Sequence, residues 1–175
     1  MNRLALDMDA VLAETHRAFL RTYNMRNNTN YRLDDISYWD WPTDEFGLET
    51  FIQLTDEEWK ERTSNIEPCE SEIAEKVSTL SDTFDIDIVT ARSGCKDSMS
   101  QWIEEHGITE YQSFFTGIDD KPSLGYDYYV DDNPNMVGKL NESQVLFLRE
   151  RSWNRPVDSS NVFYVSSILE PLELA

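Results

Sequence analysis

The sequence contains few residues of the kinds that build disulfide frameworks, metal clusters or membrane spans. Two of its 175 residues are cysteine and two are histidine, too few for a disulfide framework, a four-thiolate zinc site or a histidine-rich metal cluster. No run approaches the roughly 18 apolar residues of a membrane span, and a charge at Asp7 precedes any signal-peptide core. Glycine and proline number six each, which excludes collagen-like and low-complexity chains. A folded domain, with or without an inserted subdomain, is what remains.

Positive charge is also scarce. Lysine and arginine number 15 against 34 aspartate and glutamate residues, which gives a net charge of −19. Such a charge repels nucleic-acid backbones and anionic lipid surfaces, so we expect neither a nucleic-acid polymer nor a membrane as a partner. We predict a cytoplasmic protein. Because concentrated salt screens the repulsion between surface carboxylates, the acidic composition also predicts a halophilic host.

Strand and helix patterns alternate along most of the chain. Residues 3–9 predict a short buried strand that ends in two carboxylates, and apolar spacing predicts a helix from residue 11 to about 26. Further strands are predicted at 86–89, 113–116, 126–130, 144–148 and 161–165, and further helices at about 70–80, 96–106 and 134–140. Strands that alternate with helices indicate an α/β fold in which helices flank a parallel sheet.

Residues 15–68 interrupt this alternation. Most of this segment consists of short aromatic-rich pieces, which predicts a small helical cap inserted into a core formed by residues 1–14 and 69–175. Within the cap, Thr55 and Glu58 have the spacing of a capping box. We therefore expect one of the cap helices to begin there.

Carboxylates occur at the predicted carboxyl ends of two strands. Asp7 and Asp9 follow the first strand, and Asp131 and Asp132 follow the strand at 126–130. An Asp-x-Asp triplet alone means little in so acidic a chain, but the carboxyl ends of the strands form the ligand crevice of an open α/β sheet. Carboxylates gathered there would repel one another, which predicts a hard divalent cation among them, and their oxygens suit Mg²⁺.

Two more polar residues belong to the same edge of the predicted sheet. Thr90 follows the strand at 86–89, and Lys121 lies in the loop before the strand that carries Asp131, so a hydroxyl and a positive charge are available for a phosphate. Taken singly, Thr90 could cap a strand end, Lys121 could be a surface charge, and the aspartate pair could be an acidic turn. Their occurrence at successive strand ends favours a site.

The order of these residues resembles the haloacid dehalogenase superfamily of phosphohydrolases, over residues 3 to about 135. Within it, Leu-Asp-Met-Asp-Ala-Val-Leu-Ala around Asp7 is similar to the opening of the 5′(3′)-deoxyribonucleotidases, and Val-Thr-Ala-Arg at 89–92 is similar to their prokaryotic and viral relatives. The resemblance implies a Rossmann-like core and a cap inserted between the first and second motifs. Two positions depart from the pattern: Ala10 replaces a usual glycine, and Thr15 replaces an aromatic residue that stacks on the nucleobase.

The resemblance also implies roles for the carboxylates. Asp7 would be the nucleophile that forms an aspartyl-phosphate, and Asp9 the acid and base that serves the leaving group and then the attacking water. Mg²⁺ would be held by the Asp7 carboxylate, the Asp9 backbone carbonyl and Asp131. Asp132 would orient water on the metal. An aspartate at position 9 is typical of the phosphatases of this superfamily, in contrast to its ATPases.

The phosphate and the leaving group need further residues. The resemblance implies that Thr90 and Lys121 donate to the phosphoryl oxygens, while Arg92 either joins them or is a solvated surface residue. The cap aromatics form either the small core of the cap or a platform for the leaving group. We expect at least one of three aromatic residues to contact the leaving group: Trp39, Trp41 and Phe46.

Together these features predict a Mg²⁺-dependent phosphomonoesterase that acts on a small phosphate ester, with a (deoxy)nucleoside monophosphate as the first choice. Two alternatives stay open: another small phosphomonoester as the substrate, or a non-catalytic acidic module that binds a cation. Release of phosphate from a chromogenic ester, with and without Mg²⁺, separates the enzyme from the binding module. The sequence leaves the oligomeric state open.

Overall fold

The computed structural model describes residues 1–174, and a six-stranded sheet lies at its centre. The strands are β1 Asn2–Leu6, β2 Phe84–Val89, β3 Ser113–Phe115, β4 Tyr128–Asp131, β5 Val145–Arg149 and β6 Val162–Val165. The helices are α1 Thr15–Asn27, α2 Trp41–Phe46, α3 Leu48–Glu61, α4 Ile73–Ser81, α5 Lys96–Glu105 and α6 Pro171–Leu174. The helix predicted at 134–140 is a 3₁₀ turn, Pro134–Lys139. Within residues 1–174, no helix is both long enough and apolar enough to cross a membrane.

All strand pairs are parallel, and their order is β3-β2-β1-β4-β5-β6. Leu4 and Leu6 of β1 pack in an apolar layer with residues of α4 and α5, whereas Ala5 between them belongs to a second layer. Successive side chains of a strand point to opposite faces, so the sheet is covered on both sides. The predicted α/β fold with a parallel sheet is confirmed.

The strand order determines where a ligand can bind. From β1, the chain adds β2 and β3 on one side and β4, β5 and β6 on the other. The direction of strand addition therefore reverses between β1 and β4. Such a reversal opens a crevice at the carboxyl ends of the two strands.

The loop after β1 differs from the prediction of a helix that begins at residue 11. Ala10 adopts a left-handed conformation with a φ of 63°, and the amides of Leu12 and Ala13 both donate to the carbonyl of Met8, at 3.1 and 2.9 Å. The chain thus makes a tight buried turn before α1 begins at Thr15. Apolar spacing alone does not distinguish such a turn from the first turn of a helix.

The predicted helix start at Thr55 is wrong, because α3 begins earlier, at Leu48. Gly47 precedes it with a φ of 83°. Thr55 lies inside α3, where its hydroxyl donates to the carbonyls of Phe51 and Ile52, both at 3.0 Å. Threonine hydroxyls make such bonds to the preceding turn within helices as well as at their starts, so the capping-box spacing was coincidental.

Candidate active site

The carboxyl ends of β1 and β4 carry three buried aspartates. Asp7 follows β1 directly, and its amide donates to the carbonyl of Val130 in β4 at 2.9 Å. Asp131 is the last residue of β4, and Asp132 follows it. One carboxylate oxygen from each aspartate lies within 4.8 Å of the others. The structure thus brings Asp7 together with Asp131 and Asp132, as the sequence predicts.

Lys121 balances part of the negative charge of this cluster. Its Nζ lies 2.7 Å from Oδ1 of Asp7 and 2.5 Å from Oδ2 of Asp131. Burial raises the pKa of Asp7 well above its usual range; Lys121 reduces this effect and the neighbouring carboxylates reinforce it. Burial and the charge of Asp131 raise the pKa of Asp132 to about 7. Three buried carboxyl groups thus share one lysine, and their crowding and burial favour the protonated forms of Asp7 and Asp132.

A buried hydrogen-bond network supports the turn that carries Lys121. Gln144 Nε2 donates to the carbonyl of Pro122 and to the hydroxyl of Tyr129, both at 2.9 Å. The hydroxyl of Tyr129 lies 3.3 Å from the carbonyl of Lys121, to which it donates. Because these polar groups are buried, removing one would leave another without its partner. No sequence motif pointed to Gln144 or Tyr129.

Asp9 lies in a different environment, although a single residue separates it from Asp7. Its Oδ1 accepts hydrogen bonds from the Thr15 hydroxyl at 2.5 Å and from Trp59 Nε1 at 3.1 Å. Its Oδ2 accepts from Arg92 Nε at 3.0 Å. Burial alone would raise the pKa of Asp9, but Arg92 and these hydrogen bonds more than offset it, so the pKa is lowered. Asp9 is therefore an ionised acceptor in this structure.

Arg92 connects Asp9 to α3. Its Nη1 donates to the Asp56 carboxylate at 2.7 Å and to the Thr55 hydroxyl at 3.0 Å. The side chain is only 15% exposed, so it is not a solvated surface residue, which was one of the two expectations. Thr90, two residues before Arg92, is buried, and its hydroxyl accepts a hydrogen bond from the Arg92 amide at 3.2 Å.

Trp153, in the loop after β5, connects the acidic cluster to an aromatic stack. Its Nε1 donates to Oδ2 of Asp132 at 2.8 Å, and Asn154 Nδ2 donates to the carbonyl of Asp132 at 3.0 Å. The Trp153 ring stacks on His16 with 4.8 Å between centroids. Burial lowers the pKa of His16 to about 4. His16 is therefore neutral at pH 7.

All the predicted catalytic, metal and phosphate residues line one cavity of about 460 Å³. They are Asp7, Asp9, Thr90, Arg92, Lys121, Asp131 and Asp132. The segment between β1 and β2 contributes apolar lining to the same cavity: Ile36, Trp39, Pro42, Leu48, Phe51 and Ile52. The cavity thus combines charged groups from the strand ends with an apolar wall from the inserted segment.

The three aromatic residues that were predicted to contact the leaving group all pack against one apolar cluster, but they differ in their access to the cavity. Trp39 lines the cavity, whereas Trp41 and Phe46 are not among its lining residues. Trp41 and Phe46 pack edge to face, with 5.5 Å between their ring centroids, in an apolar cluster with Phe19 of α1. Trp41 and Phe46 are therefore packing residues of the inserted segment, and Trp39 is the one placed to contact a ligand.

Several contributors to the site have no local sequence motif. Trp59 lies 50 residues from Asp9, which its indole reaches, and Trp153 lies 21 residues from Asp132. The indole N–H of a buried tryptophan usually finds a partner, so tryptophan–aspartate pairs could have been expected in a chain rich in both. The sequence alone does not say which tryptophan pairs with which aspartate.

The sequence matches a known protein family, and the fold is similar to several solved structures. Residues 2–162 match the family described as 5′ nucleotidase, deoxy (pyrimidine), cytosolic type C protein. No curated protein matches the sequence. Similar solved structures include a predicted phosphoglycolate phosphatase from Haemophilus somnus (TM-score 0.66, 12% identity, covering 99% of this chain and 97% of the other). They also include a haloacid dehalogenase-like family hydrolase from Xanthomonas campestris (0.62, 9%, 99% and 94%) and a subfamily IA hydrolase of the same superfamily from Geobacter sulfurreducens (0.59, 14%, 99% and 96%).

Proposed function

The chain belongs to the cytosolic type C 5′ nucleotidase family of the haloacid dehalogenase superfamily, and on that premise we propose that it removes phosphate from (deoxy)nucleoside monophosphates. The family and the fold confirm the predicted class of enzyme, a phosphoric monoester hydrolase. The nucleotide substrate, the Mg²⁺ requirement and a cytoplasmic location are the finer parts of the proposal. The word cytosolic in the family description supports the last of them.

The observation that carries the proposal is the position of Asp7 in the cavity that the other predicted site residues also line. Its carboxylate lies beside Lys121 Nζ at 2.7 Å, and the cavity also presents the Thr90 hydroxyl and the Arg92 guanidinium. A phosphoryl group needs a nucleophile on one side and donors around its oxygens. This cavity offers both.

We propose that Asp7 attacks phosphorus in line with the leaving oxygen. A bond forms between an Asp7 oxygen and phosphorus while the bond from phosphorus to the ester oxygen breaks, and that oxygen takes a proton from Asp9. In the second step, water attacks the aspartyl-phosphate and gives a proton to Asp9. The bond between phosphorus and the Asp7 oxygen then breaks, which releases phosphate and restores both carboxyl groups.

Asp9 needs a proton to begin this cycle, and the ion pair with Arg92 opposes protonation. Arg92 lines the same cavity, so a phosphate dianion bound there would compete with Asp9 for the guanidinium. Weakening of this ion pair raises the pKa of Asp9. We therefore propose that substrate binding itself prepares Asp9 as the acid.

The acidic cluster has the donor set of a divalent cation site. Its carboxylate oxygens lie within 4.8 Å of one another, and a cluster of hard oxygen donors suits Mg²⁺. We propose that Asp7, Asp131 and the Asp9 backbone carbonyl hold it and that Asp132, fixed by Trp153, orients its water. Bound there, Mg²⁺ would neutralise negative charge on the transferring phosphoryl group.

The apolar wall of the cavity supports a flat leaving group. We propose that residues 15–68 act as a cap and that Trp39 contacts the nucleobase. Position 15 is a threonine, which offers no aromatic ring, and its hydroxyl donates to Asp9 at 2.5 Å. A ring that stacks on the base must therefore come from another position. A stacked ring contributes on the order of 1 to 3 kcal/mol per base.

Phosphate release from a panel of esters tests the proposal. The panel pairs deoxyribonucleoside and ribonucleoside monophosphates with phosphoglycolate, a sugar phosphate and p-nitrophenyl phosphate, each with Mg²⁺ or with EDTA, and Asp7→Asn serves as the inactive control. We expect the highest kcat/KM with a nucleoside monophosphate and loss of activity in EDTA. A higher kcat/KM with a small ester that lacks a base would refute the nucleotide substrate, and phosphate release that persists in EDTA would refute the metal requirement.

A further inference from the structure

The turn between Asp9 and α1 contains a residue in an unfavourable backbone conformation. Ala10 is buried and has a φ of 63°, a left-handed conformation that a residue with a Cβ rarely adopts. Its amide donates to the carbonyl of Ala13 at 2.8 Å. Local hydrogen bonding therefore closes the turn, but the conformation of Ala10 still has to be held against its intrinsic preference.

Arg151 holds the other polar group of Ala10. Both Nε and Nη2 of the guanidinium donate to the Ala10 carbonyl, at 3.1 and 2.6 Å. Arg151 lies in the loop after β5, 141 residues away in the sequence. The planar guanidinium directs two donors at one oxygen, which fixes the orientation of the peptide group as well as its position.

The guanidinium is itself held in place. Nη2 forms an ion pair with the buried Glu14 carboxylate and lies 3.1 Å from Sγ of Cys69. Glu14 directly precedes α1, so Arg151 contacts both ends of the turn. Arg151 is not one of the described residues that line the cavity. It therefore does not contact a ligand there directly.

We propose that Arg151 is a positioning residue for the reaction: by holding the Ala10 carbonyl, it maintains the left-handed turn that directs the two carboxylates of Asp7 and Asp9. This inference rests on the proposed function of those carboxylates. The turn follows Asp9 directly and leads into α1, and a displacement of about 1 Å in reacting groups can lower a rate about a hundredfold. Arg151 therefore affects kcat through backbone geometry.

The test is a double-mutant cycle between Arg151→Lys and Ala10→Gly. Lysine keeps the charge opposite Glu14 but cannot place two fixed donors on one carbonyl, whereas glycine adopts the left-handed conformation without the penalty of a Cβ. We expect Arg151→Lys to lower kcat about tenfold with little change in KM, and to lower kcat less than about threefold when residue 10 is glycine. Arg155→Lys, at an exposed arginine of the same loop, is the matched control and should leave kcat unchanged.

Thermal unfolding of the same four proteins gives a readout that does not depend on activity. Arg151→Lys should lower the midpoint more when residue 10 is alanine than when it is glycine. The inference would be overturned if Arg151→Lys lowered kcat by the same factor with alanine and with glycine at position 10. It would also be overturned if the fall in the thermal midpoint depended on residue 10 while kcat stayed unchanged. If Arg151→Lys does not fold, Arg151→Met combined with Glu14→Gln removes the ion pair as a unit, and its kcat must again recover with Ala10→Gly.

The proposed function and this inference fail in different ways. A wild-type protein that releases no phosphate from any ester would refute the proposed function and with it the role of Arg151 in the reaction. An active wild-type protein in which residues 10 and 151 act independently would refute the inference alone.

Discussion

Asp7 and Asp9 lie two positions apart on one loop, and their surroundings are opposite. Asp7 is buried among carboxylates, with Lys121 as its cationic neighbour, and its pKa is raised. Asp9 accepts hydrogen bonds from Arg92 and two other donors, and its pKa is lowered. In the structure these shifts run opposite to the proposed roles, since a nucleophile must be ionised and an acid protonated. A cation bound beside Asp7 would lower its pKa, and a phosphate that competes for Arg92 would raise the pKa of Asp9.

The difference follows from which part of the fold supplies the neighbours. The groups around Asp7 are Asp131, which ends β4, Asp132, which follows it, and Lys121, which lies in the turn before β4. The groups around Asp9 include Trp59 of α3 and Arg92, which is itself bonded to Asp56 of α3. The segment between β1 and β2 therefore takes part in the surroundings of Asp9 through Thr15 and Trp59, together with Arg92 from beyond β2, whereas the neighbours of Asp7 lie outside that segment. The predictions below break or sharpen this contrast.

The largest effect is expected for Asp7→Asn. An amide does not attack phosphorus as a carboxylate does, so kcat should fall by more than about 10⁴-fold. A carboxyl group whose pKa is higher in the folded state than in the unfolded state destabilises the fold at pH 7. The thermal midpoint without Mg²⁺ should therefore rise. Purified Asp7→Asn with the wild-type rate would exclude Asp7 as the nucleophile.

Asp9→Asn should also lose activity but shift stability in the other direction. Loss of the acid and base should lower kcat by about 10² to 10⁴. A carboxyl group with a lowered folded pKa stabilises the fold above its unfolded pKa, and the asparagine removes one of the two ionic partners of Arg92, leaving Asp56. The thermal midpoint at pH 7 should therefore fall. Midpoint shifts of the same sign in the Asp7 and Asp9 variants would contradict the contrast between their environments.

Trp39→Ala tests the apolar wall, with Trp41→Ala as its matched control. Removing a ring that stacks on the base should lower kcat/KM for a nucleotide by about ten- to a hundredfold and change hydrolysis of p-nitrophenyl phosphate much less. Trp41 packs away from the cavity, so its loss should lower the thermal midpoint and affect both substrates equally. Selective loss in Trp41→Ala and not in Trp39→Ala would reverse the assignment.

His16 lines the same cavity as Asp9, and it makes the stability of the fold depend on pH. Burial holds its folded pKa at about 4, below the unfolded value of about 6.5. The unfolded chain therefore binds a proton between these values while the folded chain does not, so stability falls as pH is lowered from about 6.5 to 4, by as much as about 3 kcal/mol. Urea unfolding should show a shallower fall for His16→Phe than for wild type. Equal slopes in the two proteins would contradict this contribution of His16.

The smallest effect concerns salt and separates surface charge from the buried cluster. The net charge of −19 predicts a midpoint that rises between about 0.1 and 2 M KCl, because screening shortens the repulsion between surface carboxylates. Buried pairs are screened much less. The stabilisation of Asp7→Asn over wild type should therefore persist in 2 M KCl. A flat or falling midpoint in wild type would remove the support for a halophilic host.

The strand ends were the part of the molecule that the sequence could predict. Short apolar runs followed by Asp7, Thr90 and Asp131 carry both the strand and its functional terminus in a few residues, so local pattern suffices. The turn at Ala10 and the start of α3 escaped prediction because they depend on backbone conformation at residues 10 and 47, which apolar periodicity does not report.

The surroundings of Asp9 could not be predicted for a different reason. Trp59 and Arg92 reach it from 50 and 83 residues away, and their arrival depends on how α3 packs over the strand ends. The same holds for Trp39, which packs on the same apolar cluster as Trp41 but alone of the two lines the cavity. Contacts between the inserted segment and the core are long-range packing, which composition and spacing do not specify.

The most direct test of the account is to trap the phosphoryl group on Asp7. Asp9→Asn should still be phosphorylated by p-nitrophenyl phosphate, because a good leaving group needs little acid assistance, but it should hydrolyse the aspartyl-phosphate slowly for lack of the base. We expect one phosphoryl group per chain after a rapid acid quench, located by mass spectrometry on the peptide that contains Asp7 and absent from the Asp7→Asn, Asp9→Asn double variant. Release of p-nitrophenol by the single variant with no phosphoryl group on Asp7, or with one on another residue, would contradict the account.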